Sequence, residues 1–285
     1  MIKTIPDTAI PGRPSLLDSP YELGLLFEKG GWLIPDRDAA ALCYRRAARS
    51  GDDRAMYRLA LLEMGQDRPS SISLMRKAAR LGNADAAWWL ARAFYYGVVL
   101  HRNYNGAVLW LNELYRREDT PPKAALLLGV CHYEGFGTET SFEQAIECLL
   151  RAFELSGRDR WGLSREGGGA LSEGDIRTVQ KILGECHYFG RGVAKDWCKA
   201  LKYLKLSVMD GDHILADRDA EYLIGTCYYF HRGTRQDIPT ALFWLRDAAR
   251  QGSQEATLLL ERRAARQARK KGRAARPQDL QTDFL

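Results

Sequence analysis

The sequence predicts an all-α solenoid, a row of six helical pairs, and three observations carry the prediction. The stretch Ile176–Gly211 reads as helix, glycine-punctuated turn and second helix. Weaker copies of it recur at intervals of roughly 36 residues, within the range of helical-pair solenoids. A small residue marks the same place in every copy: Gly24, Ala60, Ala91, Gly129, Gly184 and Gly225. A second series stays in register with the first, because Ala40, Ser71, Ala107, Ala145, Ala200 and Ala241 are followed three residues on by Cys43, Leu74, Trp110, Cys148, Tyr203 and Trp244.

Each choice has a physical reason. Apolar residues at i, i+3, i+4 and i+7 in both halves of the unit make amphipathic helices rather than strands. Small residues at the marked places let backbones approach while apolar ridges pack beside them. The residue four after the first marker is Tyr95, Tyr133, Tyr188 and Tyr229 in the last four copies, with Glu28 and Met64 in the first two. Most copies stop at a glycine (Gly51, Gly82, Gly157, Gly211, Gly252), the residue that ends a helix in left-handed backbone without side-chain cost. One pair cannot bury its apolar face alone, so the copies must stack.

In chain order, residues 1–20 carry four prolines and predict an extended arm. Helical pairs follow near 21–52, 54–82, 84–118, 121–157, 176–211 and 220–252, and together they make a repeat solenoid over 21–252. Thr120-Pro121-Pro122 breaks the chain before the fourth pair. An insertion at 158–175 holds Gly167-Gly168-Gly169 and Trp161, and a smaller one spans 213–219. Residues 253–285 read as a capping helix running into a basic tail: Arg262, Arg263, Arg266, Arg269, Lys270, Lys271, Arg273 and Arg276, with no acid among them. Without these cations the rest of the chain holds 34 basic against 36 acidic residues, so the net charge of +6 is a property of the tail.

The pattern A-x-x-x-L-G-x-x-Y-x-x-G-x-G, followed by A-x-x-W/Y-x-x-x-A-A-x-x-G, resembles the Sel1-like repeat family, relatives of the tetratricopeptide repeats. Ala124–Gly157, Val179–Gly211 and Ala220–Gly252 carry it most clearly; the second copy is short and lacks the glycine turn, and the third has Val98-Val99 where the second turn glycine belongs. The resemblance implies a right-handed superhelix and a protein–protein interaction role, an adaptor or scaffold of bacterial type. Secreted cysteine-rich relatives pair cysteines between repeats, and some have been linked to binding or hydrolysing β-lactams. That cysteine spacing is absent here, as is an S-x-x-K motif.

The remaining chemistry is sparse. Hydrophobic content of 46% excludes global disorder. No segment reaches the length of a membrane span or signal sequence, which leads to the expectation of a cytoplasmic protein. Six cysteines are expected to be free thiols acting as small buried hydrophobes. Cys131-His132 and Cys186-His187 tempt a metal or nucleophile reading. Neighbours on a helix do not face one another, however, and repeat inheritance explains both pairs. The turn Tyr188–Gly192 lacks the ending of a phosphate loop. The sequence therefore predicts no enzyme, no cofactor and no metal site.

Binding should fall on variable first-helix positions that share a face. Three before and one after the small residue, these give the candidates Tyr21, Tyr57, Trp88, Arg92, Lys181, Glu185, Tyr222 and Thr226. A row of aromatics suits an extended peptide or a partner helix, although inter-repeat filling would use the same residues. The basic tail offers the alternative of a nucleic-acid or ribonucleoprotein accessory role, without aromatics for base stacking. A β-lactam-hydrolysing enzyme and a binder that neutralises a toxin or effector complete the alternatives. Partner identity and oligomeric state are not written in the sequence.

Overall fold

The computed structural model describes residues 19–30, 34–161, 171–210 and 213–274. Nearly all of the expected N-terminal arm, half of the insertion, Gly211 and Arg276 lie outside the described residues, as do the side chains of Lys270, Lys271 and Arg273. The described residues form thirteen helices and one minimal hairpin, and the chain divides into two compact units, before and after the Glu118–Asp119 bond. That division falls at the Thr120-Pro121-Pro122 break.

The first unit holds three helical pairs: α1 (Pro20–Lys29) with α2 (Arg37–Arg49), α3 (Asp53–Glu63) with α4 (Arg68–Arg80), and α5 (Ala84–Tyr96) with α6 (Tyr104–Tyr115). The second unit pairs α7 (Pro122–Glu134) with α8 (Phe142–Leu155), α9 (Glu173–Phe189) with α10 (Trp197–Val208), and α11 (Arg218–Tyr229) with α12 (Ile238–Arg250). Helix α13 (Gln254–Ala274) packs on α12. Asp36, Asp52, Asn83, Asn103, Asp196, Asp217 and Asp237 each cap a helix start by accepting from first-turn backbone N–H groups. Pro122 opens α7, where its missing N–H costs nothing.

The core repeats with the sequence. At the same repeat position each second helix drives a large side chain inward: Tyr44, Met75, Leu111, Leu149, Leu204 and Leu245, all 0% exposed. The small first-helix residue is its counterpart. A Cβ at Gly129, Gly184 or Gly225 would come within 2.8 Å of the Cγ of Leu149, Leu204 or Leu245, and one at Gly24 would lie 2.6 Å from Cε1 of Tyr44. The glycines are thus cut to the shape of the leucines and tyrosine opposite.

Three details differ from the sequence reading. Helix α9 starts at Glu173 rather than 176, because Ser172 and Asp175 form a reciprocal capping box. Helix α10 ends at Val208 rather than running to Gly211; Met209–Asp210 (β1) pairs antiparallel with His213–Ile214 (β2). Cys198 is exposed, not buried, because it sits in the first turn of α10 with its thiol directed at the Gly233 carbonyl, 3.4 Å away. Cys131, Cys148, Cys186 and Cys227 are buried and Cys43 is half-buried. Burial pushes the Cys131, Cys186 and Cys227 thiols up to about 12.

These environments predict an order of reactivity. A thiol reagent added to the native protein should modify Cys198 first and leave Cys131, Cys148, Cys186 and Cys227 protected. All six should label after denaturation without reductant, counted by intact mass. Fast native labelling of Cys186 would contradict the packing described.

Candidate functional site

Within the second unit a cavity of about 740 Å³ opens among α7, α9 and the segment that enters α11. Arg177, Lys181 and Glu185 lie along one face of α9, four residues apart, and all three line it. Tyr133 and Glu134 come from the end of α7, Phe142 from the start of α8, Arg191 from the turn after α9, Leu215 and Asp217 from the approach to α11, and Asp219 from its first turn.

The charges in this cavity are unevenly compensated. Lys181 Nζ lies 2.8 Å from Asp217 Oδ2 and 3.7 Å from Asp219 Oδ2. Asp217 also caps α11, so a helix start and an ion pair hold it in place together. Glu185 accepts a hydrogen bond from the Tyr133 hydroxyl. Burial pushes the Glu185 carboxyl above the ordinary carboxylate range, with Tyr133 and Lys181 pulling back. The Glu185 carboxyl is therefore partly desolvated, and Lys181, the cation that acts on it, is shared with Asp217 and Asp219. Arg191 lies over the Phe142 ring at 5.4 Å and the Phe189 ring at 4.7 Å, so a cation and two aromatic rings share this part of the unit.

The same device recurs one repeat on, with a different outcome. The Tyr188 hydroxyl lies 2.7 Å from Thr226 Oγ1 and accepts from Arg232, which occupies the repeat position of Arg191. Thr226 is 2% exposed and also donates to the Leu223 carbonyl. Thr226 is thus a correction to the sequence reading. The residue one after the small position receives the tyrosine of the preceding repeat, so it serves the stacking. Glu185 plays that part too but keeps a face on the cavity.

The family profile described as Sel1 repeat matches residues 19–52, 53–83, 84–118, 122–156, 180–212 and 218–253. The chain belongs to the Sel1 repeat family. Among solved structures, it resembles c5321, described as a protective antigen of uropathogenic Escherichia coli strains displaying an SLR fold. Identity is 22% over 83% of this chain and 46% of that one, with a TM-score of 0.52. It thus spans about half of that protein, and the likeness is one of fold. A Sel1 repeat protein from Oxalobacter formigenes follows at 21% identity and TM-score 0.47, covering 88% of this chain and 67% of that one. A Sel1 repeat protein from Klebsiella pneumoniae shares 22% identity over 78% and 98%, with TM-score 0.35. No curated protein matches. Proteins built of Sel1 repeats generally mediate protein–protein interaction.

The other candidates have different settings within each unit. In the first unit Tyr21 is buried to 9% exposure against Tyr44, with the Arg54 guanidinium 4.3 Å above its ring, so it belongs to the core rather than to a surface. Tyr57 is half-buried, and its hydroxyl is pushed up chiefly by burial. Trp88 and Arg92 come together as a cation–π pair at 5.7 Å, the tryptophan half-buried and the arginine exposed. In the second unit Tyr222 is half-buried against the cores of two repeats. Of the predicted residues, only Lys181 and Glu185 share the large cavity. Sequence reading missed Arg177, although it lies four residues before Lys181. It also missed Tyr133, which it marked only as a repeat position, and Phe142, Arg191 and Asp217, which reach the cavity from other helices and turns and had no linear signal. No helix among the described residues is long and apolar enough to cross a membrane.

Proposed function

We propose that this Sel1 repeat protein is an interaction adaptor or scaffold that holds a segment of a partner protein in the cavity of its second unit. The observation that carries this reading is the cavity itself. It combines about 740 Å³ of open volume with a half-buried, incompletely compensated Glu185, cations at Arg177 and Arg191, and an aromatic wall at Tyr133 and Phe142. Mixed charge over aromatic surface suits a peptide side-chain anchor better than a small apolar ligand. The pairing of Lys181 with Asp217 and Asp219 fixes one wall, so the partner meets a preorganised surface and loses less freedom on binding.

Crosslinking tests the reading. A photoreactive residue in place of the exposed Thr178, on the cavity lining, should capture a discrete protein from nuclease-treated native cells. Arg191→Ala should abolish that capture, whereas a probe at the exposed Leu109 of the first unit should not give the same product. Identical capture from both probes would remove the cavity from the proposal.

Glu185→Gln separates binding from stability. A raised folded pKa means that the native state holds the proton more tightly than the unfolded chain does. The stabilising contribution is complete below the unfolded value near 4.3 and is lost as pH rises through the folded one. Above that folded value the wild type carries a desolvated charge that glutamine lacks, while glutamine still accepts from Tyr133. Thermal melts should place Glu185→Gln level with or above the wild type at pH 7, with the gap closing by about pH 4. A clearly lower melting temperature at pH 7 would mean that Tyr133 and Lys181 outweigh the burial penalty.

A further inference from the structure

Helix α13 does two things along its length. Its first turns close the last repeat: Ala256 is fully buried, Leu259 and Leu260 pack on the α12 core, and the Arg263 guanidinium lies 5.7 Å over the Tyr229 ring. From Glu261 to Arg269 every residue except Arg263 is exposed. Arg262, Arg266 and Arg269 are four and three residues apart, so they share one helix face and fall within about 10 Å of helix length. Among the described residues no carboxylate pairs with any of the three. The helix continues to Ala274, and its sequence there adds Lys270, Lys271 and Arg273.

This face commits to a polyanion, and its details choose among polyanions. Apart from alanine, residues 261–274 contain no apolar side chain, so the stretch has no face to insert into a lipid surface and none to bury against a partner helix. It has no aromatic on which single-stranded bases could stack. What it has is a helix free on nearly all sides, dense in guanidinium groups that match phosphate oxygens two at a time. With side chains, a helix is about 10–12 Å across, the width of the major groove of B-form DNA; the A-form RNA groove is too narrow to admit it. We propose that the outer part of α13 docks on double-stranded DNA, its row of Arg262, Arg266 and Arg269 binding the phosphate backbone without sequence preference. This is independent of the peptide cavity.

The test uses the full-length protein and a fluorescein-labelled duplex of about 20 base pairs, followed by anisotropy between about 50 and 200 mM salt. Binding should weaken linearly on a log–log plot. The triple variant Arg262→Gln, Arg266→Gln, Arg269→Gln should flatten the slope by about 2.7, at about 0.9 per phosphate contact. These side chains are exposed, so its melting temperature should not change. A charge-matched control, Arg49→Gln, Arg76→Gln, Arg80→Gln in the first unit, should keep the wild-type slope. The proposal is overturned by absence of binding at the lowest salt, or by a triple variant with the wild-type slope. It is equally overturned by an RNA duplex held as tightly as DNA, or by polyglutamate bound in preference to the duplex, which would make an acidic protein the ligand.

Discussion

Gly233→Ala is expected to destabilise the second unit far more than Gly252→Ala, although both glycines have positive φ. Gly233 sits at φ +68°, and a Cβ there would lie 2.4 Å from the backbone carbon of Trp197 and 2.5 Å from the backbone nitrogen of Cys198. The atoms it meets are backbone at the start of α10, which cannot rotate aside. Gly252 sits at φ +92° with nothing within 4 Å of such a Cβ. The control therefore isolates the backbone term, roughly 1–2 kcal/mol for a residue with a Cβ in left-handed backbone. Gly233→Ala carries that cost and an overpacking cost of about 1–3 kcal/mol as well. Gly192 repeats the arrangement one repeat earlier, its Cβ position 2.5 Å from the Phe142 carbonyl carbon, and should behave like Gly233. Urea unfolding followed by circular dichroism checks this. Equal losses for Gly233→Ala and Gly252→Ala would show that turn and helix do not press together as described.

This contact explains why the second turn glycine belongs to the repeat. It is the point where the turn of one repeat lies on the first turn of the preceding second helix, so the glycine sets the stacking rather than the fold of its own pair. A reader of the sequence sees a glycine and infers a turn, because positive φ is a local requirement. The close approach is not local, since Phe142 lies 50 residues before Gly192 along the chain. The same limit governs the cavity. Helix pairs, their register and the family were legible because each is carried by residues three, four or seven apart. Lys181 and Glu185 were legible as a shared face for the same reason. Thr226 was misjudged because its partner, the Tyr188 hydroxyl, comes from the neighbouring repeat. In the second helices, Cys43, Leu74, Trp110, Cys148, Tyr203 and Trp244 stood out by size or type. The most deeply buried side chains are their successors, Tyr44 to Leu245, where leucine is common enough to pass unnoticed.

Gly184→Leu is expected to lower the stability of the second unit by about 1–3 kcal/mol or more, as overpacking does in a dense core. Its Cβ alone would come 2.8 Å from Leu204 Cγ, 2.9 Å from Leu204 Cδ2 and 3.2 Å from the Leu204 backbone nitrogen. Leu204→Ala by itself should cost about 2–5 kcal/mol, because a side chain with no exposure leaves a cavity. Combining the two places the new leucine where the old one was removed. If Gly184 and Leu204 are counterparts, the double variant must lose less than the sum of the single losses, with a coupling of about 0.5–3 kcal/mol. Rescue should stay incomplete, since the contact with the backbone nitrogen at 3.2 Å survives removal of the side chain. Additive losses would place Leu204 against some other surface and undo the register of every first helix on its second, because Gly129 with Leu149 and Gly225 with Leu245 rest on the same geometry.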